Sequence, residues 1–208
     1  MYFKILIILF ILLYQNVAYS KATDKNDFNQ KYLSNYFSAL VSAGNQNNED
    51  AIVFFNSSKF LINKHDNFLR EYVFSLILDG QVKKAINQVK RSDNLNFFEA
   101  NLLLTLDSLI KKKYKKAERR LNKLLTFQED GTYEYVIIKI LESYNYLFLN
   151  EKIGKNNRNL GRIDLITNAF QSCYLNSNKT NSHFLNLINS PESDYSRYLF
   201  FYLGNIIE

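Results

Sequence analysis

Gly80-Gln81-Val82-Lys83-Lys84-Ala85 follows directly on the apolar stretch Tyr72-Val73-Phe74-Ser75-Leu76-Ile77 and Leu78-Asp79. The apolar run has helical spacing, the glycine interrupts it, and a second helical pattern opens with Ala85 on its apolar side. Working outward, Asn48-x-x-Ala51 lies upstream and Tyr114-x-x-Ala117 downstream of Val82-x-x-Ala85, so that the alanines stand 34 and then 32 residues apart. A recurrence at that interval marks a stacked helix-turn-helix unit, in which a small residue on each second helix lets it lie close against its partner.

Composition points the same way. One proline, Pro191, and six glycines in 208 residues are too few for the tight turns of an all-β chain, whereas long helices need almost none. Hydrophobic residues at 47% and charged residues at 22% suit a folded chain and argue against extensive disorder. The net charge of +6 is too mild to mark a nucleic-acid-binding protein. The reading is therefore all-α.

On these residues the chain resembles the tetratricopeptide repeat family, a 34-residue helix-turn-helix unit. The second repeat carries Gly80 to Ala85 after Tyr72 to Ile77, the third carries Leu104-Thr105, then Lys112-Lys113-Tyr114-Lys115-Lys116-Ala117 and Leu121, and the first carries Ala39, Asn48, Ala51 and Phe55. Three features depart from the family pattern. There is no tryptophan, Gln46 and Lys112 stand where the turn glycine belongs, and no proline closes a repeat. The resemblance spans residues 31–126 and implies an α-solenoid of antiparallel helix pairs.

Flanking segments complete the organisation. Lys4, the apolar run Ile5 to Tyr14 and Ala18-Tyr19-Ser20 have the pattern of a secretory signal peptide over residues 1–20, the apolar run being too short to cross a bilayer. Residues 21–30 read as a polar linker. Periplasmic or secreted localisation follows as an expectation. Over residues 127–208 the period blurs into divergent helical repeats, with helices expected at Tyr133 to Leu149, Ile163 to Tyr174, Ser182 to Ile188 and Tyr195 to Ile207 around a polar loop at Gly154 to Asn159. No polar cap follows Ile207. The apolar final helix is thus expected to continue into further repeats of a longer protein, or to dock on a second copy or a partner.

Chemistry-bearing residues are sparse. His65 and His183 have no carboxylate or cysteine at ligand spacing, and His65 reads as part of an inter-repeat turn with Asp66 as helix cap. His183 opens a helix after Asn181 and Ser182. The single cysteine, Cys173, reads as a small core residue and cannot form an intrachain disulfide. No phosphate loop, nucleophile elbow or metal motif is present, so no enzyme, cofactor or metal is expected. The run Lys111 to Lys116, with Arg119 and Arg120, reads as a solvated helix face; a patch for anionic lipid or an acidic partner is its alternative.

In the family, the first helices of the repeats line a concave groove that holds a segment of another protein. Carried onto this chain, the groove positions are Tyr36 and Leu40 in the first repeat, Asn67, Arg70 and Phe74 in the second, and Glu99, Leu102 and Leu106 in the third. Arg70, Phe74 and Tyr36 have the residue types of binding hot spots. The resemblance thus implies a non-enzymatic scaffold for another protein or peptide, with no nucleic acid and with a membrane only if the N-terminal segment is kept. A membrane-anchored envelope assembly factor and the targeting part of a longer enzyme are the alternatives.

Overall fold

The computed structural model describes residues 29–189 except 66, 94, 130 and 155–159. The expected signal peptide, most of the linker, Asp66 and the helix Tyr195 to Ile207 lie outside the described residues. Those described are all-helical, with no strand.

Among the described residues nine α-helices follow in order: α1 Gln30–Gly44, α2 Asn48–Ser57, α3 Phe68–Leu78, α4 Val82–Arg91, α5 Phe98–Ile110, α6 Tyr114–Leu124, α7 Tyr133–Asn150, α8 Arg162–Tyr174 and α9 Thr180–Ile188. Local chemistry sets several starts. The side chains of Asn29, Asn47 and Thr132 accept from the backbone N–H of Lys31, Asp50 and Tyr135, and Glu49 and Asp50 place negative charge in the first turn of α2. In α4 and α6 the apolar residues keep to one side, Ala85 and Val89 in the first and Ala117, Leu121 and Leu124 in the second, and these are the residues that are buried.

One turn geometry ends four of the first helices. Gln46, Gly80, Lys112 and Asn176 all have positive φ, between 49° and 75°. In each case the next residue donates its N–H five residues back: Asn47 to Ser42, Gln81 to Leu76, Lys113 to Ser108 and Ser177 to Ser172, over 2.7 to 3.0 Å. The positive-φ residue itself donates three residues back, to Ala43, Ile77, Leu109 and Cys173. This double closure satisfies the last carbonyls of a helix and reverses the chain. Gln46 and Lys112 thus occupy the position of Gly80, as aligned from the sequence, while Asn176 is a fourth instance. It stands 64 residues after Lys112, twice the 32-residue step from Gly80.

Burial follows the same register. Seven residues before each positive-φ position stand Ala39, Val73, Thr105 and Ala169, and five residues after the first three stand Ala51, Ala85 and Ala117; all seven are fully buried. α1, α3 and α5 therefore each close on the following helix over small or β-branched residues. Consecutive helices pack in sequence order, and α1 also touches α3, and α3 touches α5. One core runs from α1 to α5 around Phe55, Phe68, Tyr72, Val73 and Leu76. A second joins α6 to α7 through Leu121, Leu124 and Ile138, and a third joins α8 to α9 through Ala169, Phe184 and Leu187.

Between α7 and α8 the pattern changes. α7 is 18 residues long, against 15, 11, 13 and 13 for α1, α3, α5 and α8. It ends on Glu151, at φ 50°, and the connection to Arg162 carries no helix among its described residues. α7 and α8 share few contacts. These include Gln171 on Ser143 and the ring of Tyr174 against that of Phe148. Both pairs ascend in the same direction, so the two helices run side by side in parallel.

Candidate partner-binding face

The eight groove positions fall into three groups. Arg70, Asn67 and Phe74 on and before α3, together with Leu106 on α5, are exposed. Leu40, Glu99 and Leu102 are partly buried, Leu40 against the first core and Leu102 against Leu121, Leu124 and Ile138. Tyr36 departs from the expectation. Only 3% of it is exposed, because its ring is enclosed by Phe55, Phe68 and His65, and its hydroxyl meets His65 Nδ1 at 3.3 Å. An aromatic at the start of a stack is drawn into the interface with the next helix, where its area is worth more than on an open face.

Arg70 and Glu99 form an ion pair that bridges α3 and α5 near their N-terminal ends. Both are partly in water, so the pair itself contributes little to stability. Its second carboxylate oxygen, Glu99 Oε2, is shielded from solvent and has no hydrogen-bond partner among the described residues. Phe74 and Leu106 occupy one register, each six residues before its positive-φ turn residue, and 38% and 37% of them are exposed. Tyr133, at the start of α7, is also exposed. A hydrogen bond with Glu134 is the main cause raising its pKa, the charge of Glu99 adds a smaller rise and that of Arg70 a smaller opposing fall, so both lie within electrostatic reach of it. An apolar register on α3 and α5 thus runs beside a polar centre of Arg70, Glu99 and Tyr133.

The sequence did not single out Tyr133, Leu78 or Ile110. Exposure of the last two is invisible to periodicity, because both extend the apolar stripe of their helices. Elsewhere, α6, α7 and Gly154 enclose a cleft of about 570 Å³ that includes Glu118, Asn122, Glu142 and Asn145. Asn145 is buried, and its Oδ1 has no partner among the described residues.

The histidines are structural in their contacts. His65 faces Tyr36, and His183, in the first turn of α9, brings Nδ1 to 2.7 Å from Ser172 Oγ on α8. Cys173 is half-buried beside the α8–α9 core. Asn67, in place of the expected Asp66, precedes α3 and makes no side-chain cap. No three His, Cys, Asp or Glu side chains come together as a metal site among the described residues. No described helix is long and apolar enough to cross a membrane.

Comparison with known proteins finds no matching family model and no significant match among curated proteins or solved structures.

Proposed function

We propose that this chain is a non-enzymatic α-solenoid of tetratricopeptide-like repeats that holds a segment of another protein on the face formed by α3, α5 and the start of α7. The observation that carries the reading is the shared, part-exposed register of Phe74 and Leu106 beside the Arg70–Glu99 pair. An extended peptide offers apolar side chains to the register and carbonyl or carboxylate oxygens to the part-exposed guanidinium of Arg70. The recurrent turns at Gln46, Gly80 and Lys112, with Ala51, Ala85 and Ala117 buried behind them, support stacked repeats as the scaffold. Export, with the protein acting in the cell envelope or outside it, rests on the signal-like residues 1–20.

The test compares proteins captured from envelope extract by the wild-type chain and by a Phe74→Ala, Leu106→Ala variant. Both side chains are partly in water, so the variant is expected to keep its helical signal and lose its partner. Capture of an unchanged set of proteins would sink the reading.

A further inference from the structure

Three first helices end in the same way. The residue two before the positive-φ position is Leu78 on α3, Ile110 on α5 and Tyr174 on α8, and these are 67%, 81% and 57% exposed. Few large apolar side chains in a soluble fold stand so far into water at three equivalent places. The three tips lie at one edge of the molecule. Arg70 meets Glu99 at the opposite ends of α3 and α5, so those helices run in parallel and end together. Tyr114, which follows the Lys112 turn, stacks on Phe148 with centroids 5.2 Å apart, and Phe148 meets Tyr174 edge-on at 5.2 Å. That chain of rings ties the end of α8 to the turn between α5 and α6.

Around the tips lysine predominates, with exposed Asp79 after Leu78 and exposed Glu151 at the end of α7 among the acids. Exposed Lys83 and Lys84 follow Leu78, exposed Lys111, Lys112, Lys113, Lys115 and Lys116 follow Ile110, and exposed Lys179 follows Tyr174. Lys112, Lys113, Lys115, Lys116 and Arg119 line one hollow of about 450 Å³ together with Tyr114 and Leu149. Lys111 is paired with Asp107. Asp79 is the acid nearest Leu78, and it accepts from Gln81. The turn at Gln46 differs: Gly44 stands at the tip and Glu49 and Asp50 follow, which sets the boundary of the basic edge.

We propose that this edge docks on an anionic lipid bilayer, with Ile110, Leu78 and Tyr174 entering the interface and the lysines meeting headgroup phosphates. Separate apolar tips ringed by lysine suit a broad surface, which satisfies all of them at once, better than a single peptide strand in a groove. The combination of apolar insertion and several basic residues is what stable peripheral attachment requires. The inference rests on the tips and the lysines around them; Phe74 and Leu106 lie one helical turn back from Leu78 and Ile110, and the Arg70–Glu99 pair lies toward the other ends of α3 and α5.

The experiment sediments the full chain with vesicles of phosphatidylcholine alone and of phosphatidylcholine with about one third phosphatidylglycerol. Anionic vesicles are expected to bind it, and Lys112→Glu with Lys113→Glu to weaken that binding at least tenfold, given about 1 kcal/mol per basic residue near such a surface. Lys31→Glu with Lys123→Glu changes the same charge away from this edge and is expected to bind nearly as wild type. Because the chain has no tryptophan, Ile110→Trp is a single reporter, and its emission is expected to shift to the blue on anionic vesicles. Circular dichroism checks that each variant stays helical. Equal weakening by both charge reversals, binding indifferent to Lys112 and Lys113, or an unshifted Trp at position 110 overturns the proposal. So does tight binding of soluble polyglutamate with the same charge dependence and no shift on vesicles, which assigns the lysines to an acidic protein.

Discussion

Gln171 Nε2 donates to Ser143 Oγ at 2.7 Å, and this bond between α8 and α7 is buried. The other end of the same amide, Gln171 Oε1, is shielded from water and has no partner among the described residues. An orphaned buried carbonyl costs about as much as a made hydrogen bond returns, so the amide is close to neutral overall. Gln171→Met, which keeps the volume and removes both polar ends, is expected to shift stability by less than about 1 kcal/mol. Gln171→Ala opens a cavity and is expected to cost about 1 to 3 kcal/mol, read from the urea midpoint. Equal midpoints for the two variants would mean that volume at this contact does not matter.

Ala85 is fully buried where α4 closes on α3. Leucine there must displace neighbours in a packed core, and Ala85→Leu is expected to destabilise by about 1 to 3 kcal/mol. Thermal melting followed by circular dichroism checks it, and an unchanged midpoint would remove the close helix contact from the account.

The turn positions make a paired prediction of opposite sign. A Cβ on Gly80 would meet no atom within 4 Å, so only the backbone conformation at φ 75° opposes a side chain there. Gly80→Ala is expected to cost about 1 kcal/mol, and Lys112→Gly, at φ 55°, to gain up to about that much. Denaturant midpoints moving the same way in both variants would contradict the shared geometry.

Asp107 binds Lys90 at 2.7 Å and also pairs with Lys111. Partial burial pushes its pKa upward, but the hydrogen bonds and charges of the two lysines outweigh this and hold it below the ordinary carboxylate value. With the folded-state pKa lowered, the stabilisation is full above the unfolded value and is lost as pH falls through the folded one. Asp107→Asn is expected to cost about 0.5 to 1 kcal/mol at neutral pH, and the two melting curves are expected to converge in acid. A difference that persists at low pH would tie the loss to packing.

The helical class and the first three turns were legible because alanine spacing, apolar periodicity and scarce proline all report local packing. The equivalence of Gln46 and Lys112 with Gly80 could be read only from their distance to Ala51 and Ala117, since neither residue favours positive φ. Asn176 escaped notice, because α7 outruns the period before it and no alanine follows at the usual distance. At the candidate face, Arg70, Phe74 and Leu106, taken from the family resemblance, have part of their side chains in water. Tyr36 is buried instead, since whether an aromatic at a helix face is open or covered depends on the next helix, here through Phe68. The lysine run gave its charge to the sequence reader but not its setting, which required seeing Ile110 exposed beside it.

The plain connection between α7 and α8 has a consequence for how the molecule shares stability. In a stack where each helix pair leans only on its neighbours, cooperativity passes from pair to pair through their interfaces. At α7 and α8 that passage narrows to a few contacts, and the core of α8 and α9 around Phe184 is separate from those before it. The α8–α9 pair, the last among the described residues, is therefore expected to open more readily than the helices from α1 to α7, with amide hydrogen exchange as the check.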